Sequence, residues 1–165
     1  MGIRQLQKKY PRFVYENYSY RNSGKDLKIS FNFKIVPDIS FNPTLLIKNI
    51  PKLNRAKIDN LIFNLGLVEM ISYWKATCSP IIEIKTGGLN REQIKWWQDL
   101  IMNGMGQFFF ENKISFQKPK FITAKPSPRK PLITAFDDIL VPVGGGKDSA
   151  VTLELLSAFS KKKLG

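Results

Sequence analysis

The sequence contains no histidine and only one cysteine, Cys78. The lack of histidine excludes histidine-dependent catalytic triads, histidine metal ligands and histidine general bases within this chain. One cysteine permits neither an intrachain disulfide nor a cysteine-based zinc site, and without an identifiable basic partner we interpret Cys78 as a small buried residue. Any metal bound here is therefore expected to be a hard cation such as Mg²⁺, held by oxygen ligands.

Long hydrophobic runs are also missing. No apolar run approaches the ~20 residues that a membrane-spanning helix requires. The first residues, MGIRQLQKKYPRF, are polar and basic and lack the apolar core of a secretory signal. Leu6 stands where a myristoylation motif has Ser or Thr. We therefore expect a cytoplasmic protein without a membrane partner.

Acidic residues are scarce, since 13 Asp and Glu stand against 26 Lys and Arg and give a formal net charge of +13. Such a charge can mark a surface for nucleic acid or another polyanion. It can equally reflect lysines that are spread over solvated faces. The basic residues are scattered apart from the short runs KKY (8–10) and KKK (161–163). This distribution favours solvated faces, and a nucleic-acid partner is not expected.

Strands are indicated most clearly by LKISFNFKIV (27–36), where every second residue is apolar. This period is typical of a strand with one buried face. The preceding RFVYENYSY (12–20) is aromatic and strand-like, and RNSGKD (21–26) between them supplies turn chemistry. Residues 12–36 are therefore predicted to form a β-hairpin. A shorter apolar run, PIIEIK (80–85), predicts a further strand.

Two helices are predicted from apolar residues at helical spacing. The first is capped by Asn54 and continues past Gly66 towards Trp74. The second starts at Asn90, where Asn90 and Gln93 match a capping box. The predicted buried stripe of the second helix comprises Ile94, Trp97, Leu100 and Ile101.

Prolines divide the chain into two parts. Residues 115–135 contain four prolines and several lysines without a periodic pattern, which is typical of an extended linker. The sequence therefore predicts an α+β domain over residues 1–114, a proline-rich linker over 115–135, and a separate segment over 136–165.

The segment VPVGGGKDSAVTLELL (141–156) combines a glycine-rich turn with the start of a helix. The apolar run FDDILVPV (136–143) is predicted to be a buried parallel strand. Three consecutive glycines permit positive φ angles and let backbone amides approach an anion. Asp148 or Ser149 is expected to cap the following helix, whose N-terminus favours negative charge. The pattern is typical of a phosphate-binding loop, and the alternative is a glycine turn before an ordinary helix.

Two common phosphate-binding motifs do not fit this turn. A Walker A loop needs glycine in place of Val141 and Ser or Thr in place of Asp148. A dinucleotide fingerprint needs a third glycine where Ser149 stands. GGGKDS instead resembles the S-G-G-x-D-S loop of the PP-loop ATP pyrophosphatases, with Gly144 in place of the leading serine. The resemblance implies that residues 136–165 are the first strand, loop and helix of an α/β domain, similar to the adenine-nucleotide α-hydrolases.

Two further stretches narrow the resemblance. EMISYWKATCSPIIEI (69–84) and MGQFFFENKI (105–114) precede the loop in the order found in one branch of the superfamily. That branch is the ATP-dependent UDP-N-acetylmuramoyl-L-alanyl-L-glutamate epimerases, whose own loop is similar in having a leading glycine. The resemblance extends over about residues 12–160.

The resemblance implies an isomerase of peptidoglycan biosynthesis that uses ATP and Mg²⁺. ATP would adenylylate the α-carboxylate of the terminal L-glutamate of the UDP-N-acetylmuramoyl dipeptide. A base would then invert the α-carbon of the acyl adenylate, and hydrolysis would release the D-glutamate product with AMP. Mg²⁺ would neutralise the leaving pyrophosphate.

The resemblance also implies roles for two sets of residues. The first set would hold the pyrophosphate end of ATP, with Asp148 near the Mg²⁺ or the nucleotide and Lys147 as the weaker member. It comprises Gly144, Gly145, Gly146, Lys147, Asp148 and Ser149. The second set would line the substrate site and comprises Tyr73, Trp74 and Lys75. The alternative for the second set is a helix end packed on the core, with Lys75 extended into solvent. No residue is assigned as the catalytic base.

A complete PP-loop domain needs several parallel strands, and each βαβ unit takes ~30 residues. Only SKKKLG follows Phe159 in this sequence. We therefore expect the chain to be the N-terminal part of a longer enzyme, whose remaining part supplies the adenine pocket and the base. Two other hypotheses stay open, namely a PP-loop enzyme that acts on tRNA and a non-catalytic phosphate-binding module.

The 165-residue chain alone is expected not to turn over ATP, because one strand and one helix cannot form an adenine site. An enzyme-coupled assay for pyrophosphate checks this, with a complete PP-loop enzyme as the positive control. Release of pyrophosphate by the isolated chain at an enzyme-like rate would contradict the expectation.

Overall fold

The structure is a computed structural model that describes residues 2–50, 55–115, 117–125 and 141–159. The chain divides into two compact units, Met1–Lys130 and Pro131–Gly165. Within the described ranges, no helix is both long and apolar enough to cross a membrane.

The first unit combines one sheet with four helices in the part of the chain that is described. Its strands are β1 (Arg12–Ser23), β2 (Asp26–Val36), β3 (Ile39–Phe41), β4 (Thr44–Ile47), β5 (Ile81–Gly88) and β6 (Lys120–Ala124). Its helices are α1 (Ile3–Lys9), α2 (Arg55–Trp74), α3 (Arg91–Gly104) and α4 (Gly106–Glu111). The second unit contains helix α5 (Lys147–Phe159).

Strand β1 lies at the centre of a mixed sheet with the order β3-β2-β1-β5-β6. The edge of β2 that faces away from β1 pairs antiparallel with both β3 and β4. β5 runs parallel to β1, and β6 runs parallel to β5. Parallel neighbours need crossover connections, which contain α2 in one case and α3 with α4 in the other. The α+β class predicted for the N-terminal part is confirmed, as is the strand predicted at 80–85.

The β1–β2 hairpin follows directly from the sequence pattern. Buried and half-buried residues alternate along the whole of β2, because period-two apolar positions place one face on the core. Gly24 in the two-residue turn has φ +64°, a conformation that tight hairpin turns require and that glycine adopts without strain. A bulge between Tyr15 and Asn17 shifts the register once. The hairpin predicted over 12–36 is confirmed.

An aromatic cluster joins the hairpin to α2. Tyr15 is fully buried, and its ring centroid lies 5.1 Å from that of Phe33 and 6.2 Å from that of Phe63. Burial of a phenylalanine side chain contributes about 1.5–3 kcal/mol. A β-carbon added to Gly66 of α2 would overlap the Tyr15 hydroxyl and ring, so the missing side chain lets the helix approach the sheet closely. The predicted continuation of this helix to Trp74 is confirmed.

Helix α3 begins at the predicted residue. The Asn90 side chain accepts a hydrogen bond from the Gln93 N–H at 2.8 Å, and the Gln93 side chain accepts one from the Asn90 N–H at 2.9 Å. The predicted capping box is therefore confirmed. Trp97 and Ile101 are buried as predicted, whereas Leu100 is 38% exposed. The placement of Leu100 in the buried stripe is wrong, because it stands at the edge of that stripe, about 100° around the helix from Ile101.

Strand β6 lies within the segment predicted to be a linker. Lys120–Ala124 pairs with β5, so the linker predicted over 115–135 is wrong for these five residues. Phe121 is buried and Thr123 is half-buried, and the other three side chains are exposed. An edge strand this short, flanked by prolines, gives too few alternating residues for a sequence pattern to reveal it. The predicted Asn54 cap and the linker residues 126–135 lie outside the described residues.

Substitution of Gly66 by alanine is expected to destabilise the protein by about 1–3 kcal/mol, because the added methyl group overpacks the core against Tyr15. In an unconstrained helix the same change would stabilise by about 1 kcal/mol. Chemical denaturation followed by circular dichroism measures the difference. Part of the loss should return in the double variant Gly66→Ala with Tyr15→Phe, which removes the overlapped hydroxyl.

Gly104→Ala is the matched control, since a β-carbon at this helical glycine meets only a Leu100 methyl at 4.0 Å. The control should be neutral or stabilising. A Gly66→Ala protein as stable as the original would show that α2 does not depend on this close approach.

Candidate functional site

The glycine-rich turn is open and contains one residue in the left-handed region. Gly145 has φ +77°, which L side chains rarely adopt. A β-carbon built on Gly144, Gly145 or Gly146 would meet no heavy atom within 4 Å. Glycine is therefore required at Gly145 by backbone conformation and not by lack of space. The open space leaves the backbone amides of the turn accessible to a ligand.

Helix α5 starts directly after the glycines, at Lys147. Asp148 and Ser149 thus lie in its first turn and Gly146 takes the cap position, so the prediction that one of them caps the helix is wrong by two or three residues. The Ser149 hydroxyl donates a hydrogen bond to the Gly146 carbonyl at 2.8 Å. The first N–H groups of a helix have no partner within the helix, and they carry the positive end of its dipole. The arrangement therefore offers backbone donors to an anion.

The segment before the turn differs from the predicted strand where it is described. Val141, Pro142 and Val143 have no regular secondary structure, and Val143 is 63% exposed. Residues 136–140, which carry most of the predicted strand, lie outside the described residues. The assignment of 136–165 to a PP-loop domain stays a prediction. On α5, Val151 and Leu155 are each 57% exposed.

The three residues predicted to line a substrate site are placed in three different environments. Trp74 is 2% exposed, and its indole N–H donates to the Ser79 carbonyl at 2.9 Å. Tyr73 is half-buried and packs on Phe41, with ring centroids 4.8 Å apart. Lys75 is exposed. These contacts favour the packed helix end for Trp74 and leave Lys75 as the side chain open to solvent.

The hydroxyl of Tyr73 has a raised pKa. Partial burial, helped by the neighbouring carboxylate of Glu69, raises the pKa of the Tyr73 hydroxyl above its usual value of 10.0. The hydroxyl is therefore protonated near neutral pH and can serve as a hydrogen-bond donor, not as a base.

The turn after α2 contains a buried hydrogen-bond network that no sequence pattern indicated. Thr77 and Ser79 are buried, and their hydroxyl oxygens lie 2.9 Å apart. The Ser79 hydroxyl donates to the Tyr10 carbonyl at 2.8 Å, and Gln7 of α1 donates to the Cys78 carbonyl at 2.8 Å. The stretch 69–84, which carried the narrower resemblance, thus fixes α1, α2 and β5 together.

Cys78 has no feature of a reactive thiol. It is 4% exposed and adopts φ +46°, and burial raises the pKa of its thiol to about 11. A nucleophilic cysteine needs a lowered pKa and access to its substrate. The interpretation of Cys78 as a small buried residue is confirmed.

An apolar groove of about 870 Å³ lies on the helical side of the sheet. Its lining comes from β2, β4, α2 and α3 together with Ile50, and it includes Ile29, Leu61, Val68 and Trp96. Leu61, Val68 and Trp96 are 48%, 56% and 58% exposed. The polar members are Asn64, Glu92 and Gln93, which supply no pair of groups for acid–base chemistry.

The carboxylates of the described residues are dispersed. No group of three or more His, Cys, Asp or Glu in the described ranges is placed to hold a metal ion. Asp148, the residue predicted to lie near Mg²⁺, is the acidic residue in the first turn of α5.

These observations define a mixed α+β domain followed by a separate glycine-turn and helix segment. The profile of the MurL N-terminal domain family matches residues 4–164, and the chain belongs to this family. The membership confirms the narrower resemblance drawn over about residues 12–160, and the PP-loop assignment of the glycine turn stays a prediction. No solved structure matches the chain.

The name of one curated relative states an enzymatic activity. This protein of Xanthomonas oryzae pv. oryzae (strain MAFF 311018) is a UDP-N-acetyl-alpha-D-muramoyl-L-alanyl-L-glutamate epimerase, and it is 30% identical to the chain over 105 residues. The aligned stretch is 62% of this chain but only 23% of the relative. The match therefore covers less than a quarter of the relative's length.

Alkylation of Cys78 tests its burial directly, because any label must sit on this one cysteine. The native chain at pH 8.5 should react with iodoacetamide at least tenfold more slowly than the urea-unfolded chain, since the folded thiol is buried and neutral. Mass spectrometry of timed samples gives both rates. Equal rates would contradict the burial of Cys78.

The raised pKa of the Cys78 thiol makes the stability of the folded chain decrease as the pH rises. The unfolded thiol has a pKa of 9.0 and the folded thiol a pKa of about 11. Its stabilising contribution is complete below pH 9 and is lost as the pH rises from 9 to 11. The stability of a Cys78→Ala variant should therefore fall less steeply across this window.

Proposed function

We propose that the chain is the N-terminal part of a cytoplasmic, ATP-dependent epimerase of peptidoglycan synthesis. The substrate would be UDP-N-acetylmuramoyl-L-alanyl-L-glutamate, and the product would carry D-glutamate. The observation that carries this proposal is the family match over residues 4–164. The name of the Xanthomonas relative supports the substrate and the reaction. We further propose that the catalytic base lies in the part of the enzyme that the aligned stretch of this relative does not include.

The glycine turn fits a phosphate group. Its three glycines are surrounded by open space, Gly145 holds a left-handed conformation, and α5 begins at the next residue but one. Backbone amides at such a turn and at a helix N-terminus bind anions. We assign the pyrophosphate end of ATP to this turn, with Lys147 adding positive charge. The Asp148 carboxylate is a hard oxygen ligand suited to Mg²⁺, and the remaining ligands would come from water, ATP and other parts of the enzyme.

The proposed chemistry requires an activated carboxylate. A carboxylate holds the adjacent α-proton strongly because the carbanion would sit beside a negative charge. Adenylylation by ATP removes that charge, a base then takes the proton, and return of a proton to the other face gives D-glutamate. Donors at the glycine turn would stabilise the charge that develops on the leaving pyrophosphate. Lys75, which is exposed at the end of α2, is the member of the predicted substrate set that can meet a ligand.

The substrate class can be tested by the release of AMP. The chain is supplied with the remaining part of a MurL-type protein and is assayed with ATP and either the UDP-muramoyl dipeptide or tRNA. AMP release that depends on the dipeptide supports the proposal. Release that depends on tRNA would replace it with a tRNA-modifying enzyme, and pyrophosphate binding with neither activity would leave a non-catalytic phosphate-binding module.

The role of the glycine turn can be tested in the 165-residue chain. Gly145→Val should weaken ATP binding about fivefold or more, because a side chain at positive φ costs about 1–2 kcal/mol and distorts the turn. Gly144→Ala is the control, since it adds a methyl group in open space at an ordinary φ. NMR titration of the turn amides measures both affinities. Unchanged ATP binding by Gly145→Val would remove the turn from the proposed site.

A further inference from the structure

The face of the sheet opposite to α2 is more polar than the face that α2 covers. Apart from Val14 and Val36, the residues that point away from the core in the hairpin are polar, and their contacts show that they share this face. Ser30 and Thr44 hydroxyl oxygens lie 3.3 Å apart across β2 and β4. Arg12 and Glu83 form an ion pair of 3.0 Å across β1 and β5. We call this surface the open sheet face.

The open sheet face is strongly cationic. By strand register, its basic residues are Arg12, Arg21, Lys28, Lys34 and Lys120, and the exposed Lys85 joins them because it follows the buried Ile84 in β5. The acidic residues that register places on it are Asp26 and Glu83, and Glu16 in the bulge of β1 has no register partner. Glu83 pairs with Arg12, and a carboxylate oxygen of Asp26 accepts a hydrogen bond from the Asn49 N–H at 3.1 Å.

Two of the cations are held directly opposite each other. Arg21 of β1 is the register partner of Lys28 of β2. Like charges at directly opposite positions destabilise a sheet. Within the described residues, no carboxylate lies within 4.0 Å of either cation to offset this repulsion. A bound anion between the Arg21 and Lys28 side chains would offset their repulsion.

The surroundings of this pair suit a phosphate group. Ser19 and Ser30 form the neighbouring register pair on the same face. A concavity of about 350 Å³ is lined by Ser19, Tyr20, Arg21, Lys28 and Ser30. Arginine offers a planar fork of donors to phosphate oxygens, lysine adds a point charge, and serine hydroxyls add further donors. The volume is at the lower end of the range for ligand pockets, which suits a small polyanion.

We propose that this concavity binds a diphosphate group, free or as part of a nucleotide. The site belongs to the first unit and does not include the glycine turn. The proposal therefore does not rest on the proposed function, because the Arg21–Lys28 pair and the concavity are present whatever reaction the enzyme catalyses.

The test is an NMR titration of the ¹⁵N-labelled 165-residue chain with inorganic pyrophosphate. Amide shifts are expected in residues 19–21 and 28–30. The double variant Arg21→Gln with Lys28→Gln should bind pyrophosphate at this site roughly tenfold more weakly or worse, because two charge-assisted hydrogen-bond donors are lost. A control with the same change in net charge, Arg91→Gln with Lys95→Gln on α3, should stay within about twofold of the original affinity.

Residue-resolved shifts keep the two anion sites apart. Shifts in 144–149 report the glycine turn, and Gly145→Val should affect those alone. Failure of the proposed function would therefore leave the shifts in 19–21 and 28–30 intact. Absence of shifts in these hairpin residues, or equal weakening by the α3 control, would overturn the proposal.

The source of the diphosphate is distinguished by two more ligands. UDP and uridine are titrated in the same way. Shifts with UDP and none with uridine support recognition of the diphosphate, and tighter binding of UDP than of pyrophosphate identifies a nucleotide as the source. Shifts with uridine but not with pyrophosphate would overturn the proposal.

Discussion

The close contact between α2 and the β1–β2 hairpin determines most of the first unit. Tyr15 is fully buried at the centre of this contact, and Gly66 leaves the space that its hydroxyl and ring occupy. The helix then continues to Trp74, which packs edge-on against Phe109 of α4 with ring centroids 6.4 Å apart. One glycine thus sets the distance at which the helical layer covers the sheet.

Because the helices cover one face of the hairpin, its two faces differ in chemistry. Phe31 and Phe33 point into the core, while the neighbouring Ser30, Asn32 and Lys34 are only half-buried. The covered face supplies the packed core, and the open sheet face carries the exposed basic side chains. The stretch 69–84 belongs to the stabilising part, since its buried hydrogen bonds tie α1 and α2 to the start of β5. This stretch therefore has a packing role in the first unit.

The sequence predicts those features that depend on neighbours along the chain. The β2 alternation, the Asn90 capping box and a positive φ within the glycine turn are all local, and the structure contains each of them. Features that depend on distant segments could not be predicted. Strand β6 forms only by pairing with β5. The sequence alone fits Trp74 equally well to the core and to a substrate site, because its packing partners are distant in the chain. Likewise, cations scattered along the sequence become one face only when register places Arg21 opposite Lys28.

Exchange of the glutamate α-proton with solvent tests most directly whether this chain is part of an ATP-dependent glutamate epimerase. The chain and the remaining part of a MurL-type protein are incubated in D₂O with ATP and UDP-N-acetylmuramoyl-L-alanyl-L-glutamate. Chiral chromatography with mass spectrometry then analyses the glutamate. We expect D-glutamate that carries solvent deuterium at the α-carbon and forms only when ATP is converted to AMP. Consumption of ATP with L-glutamate that retains its α-proton would contradict this expectation.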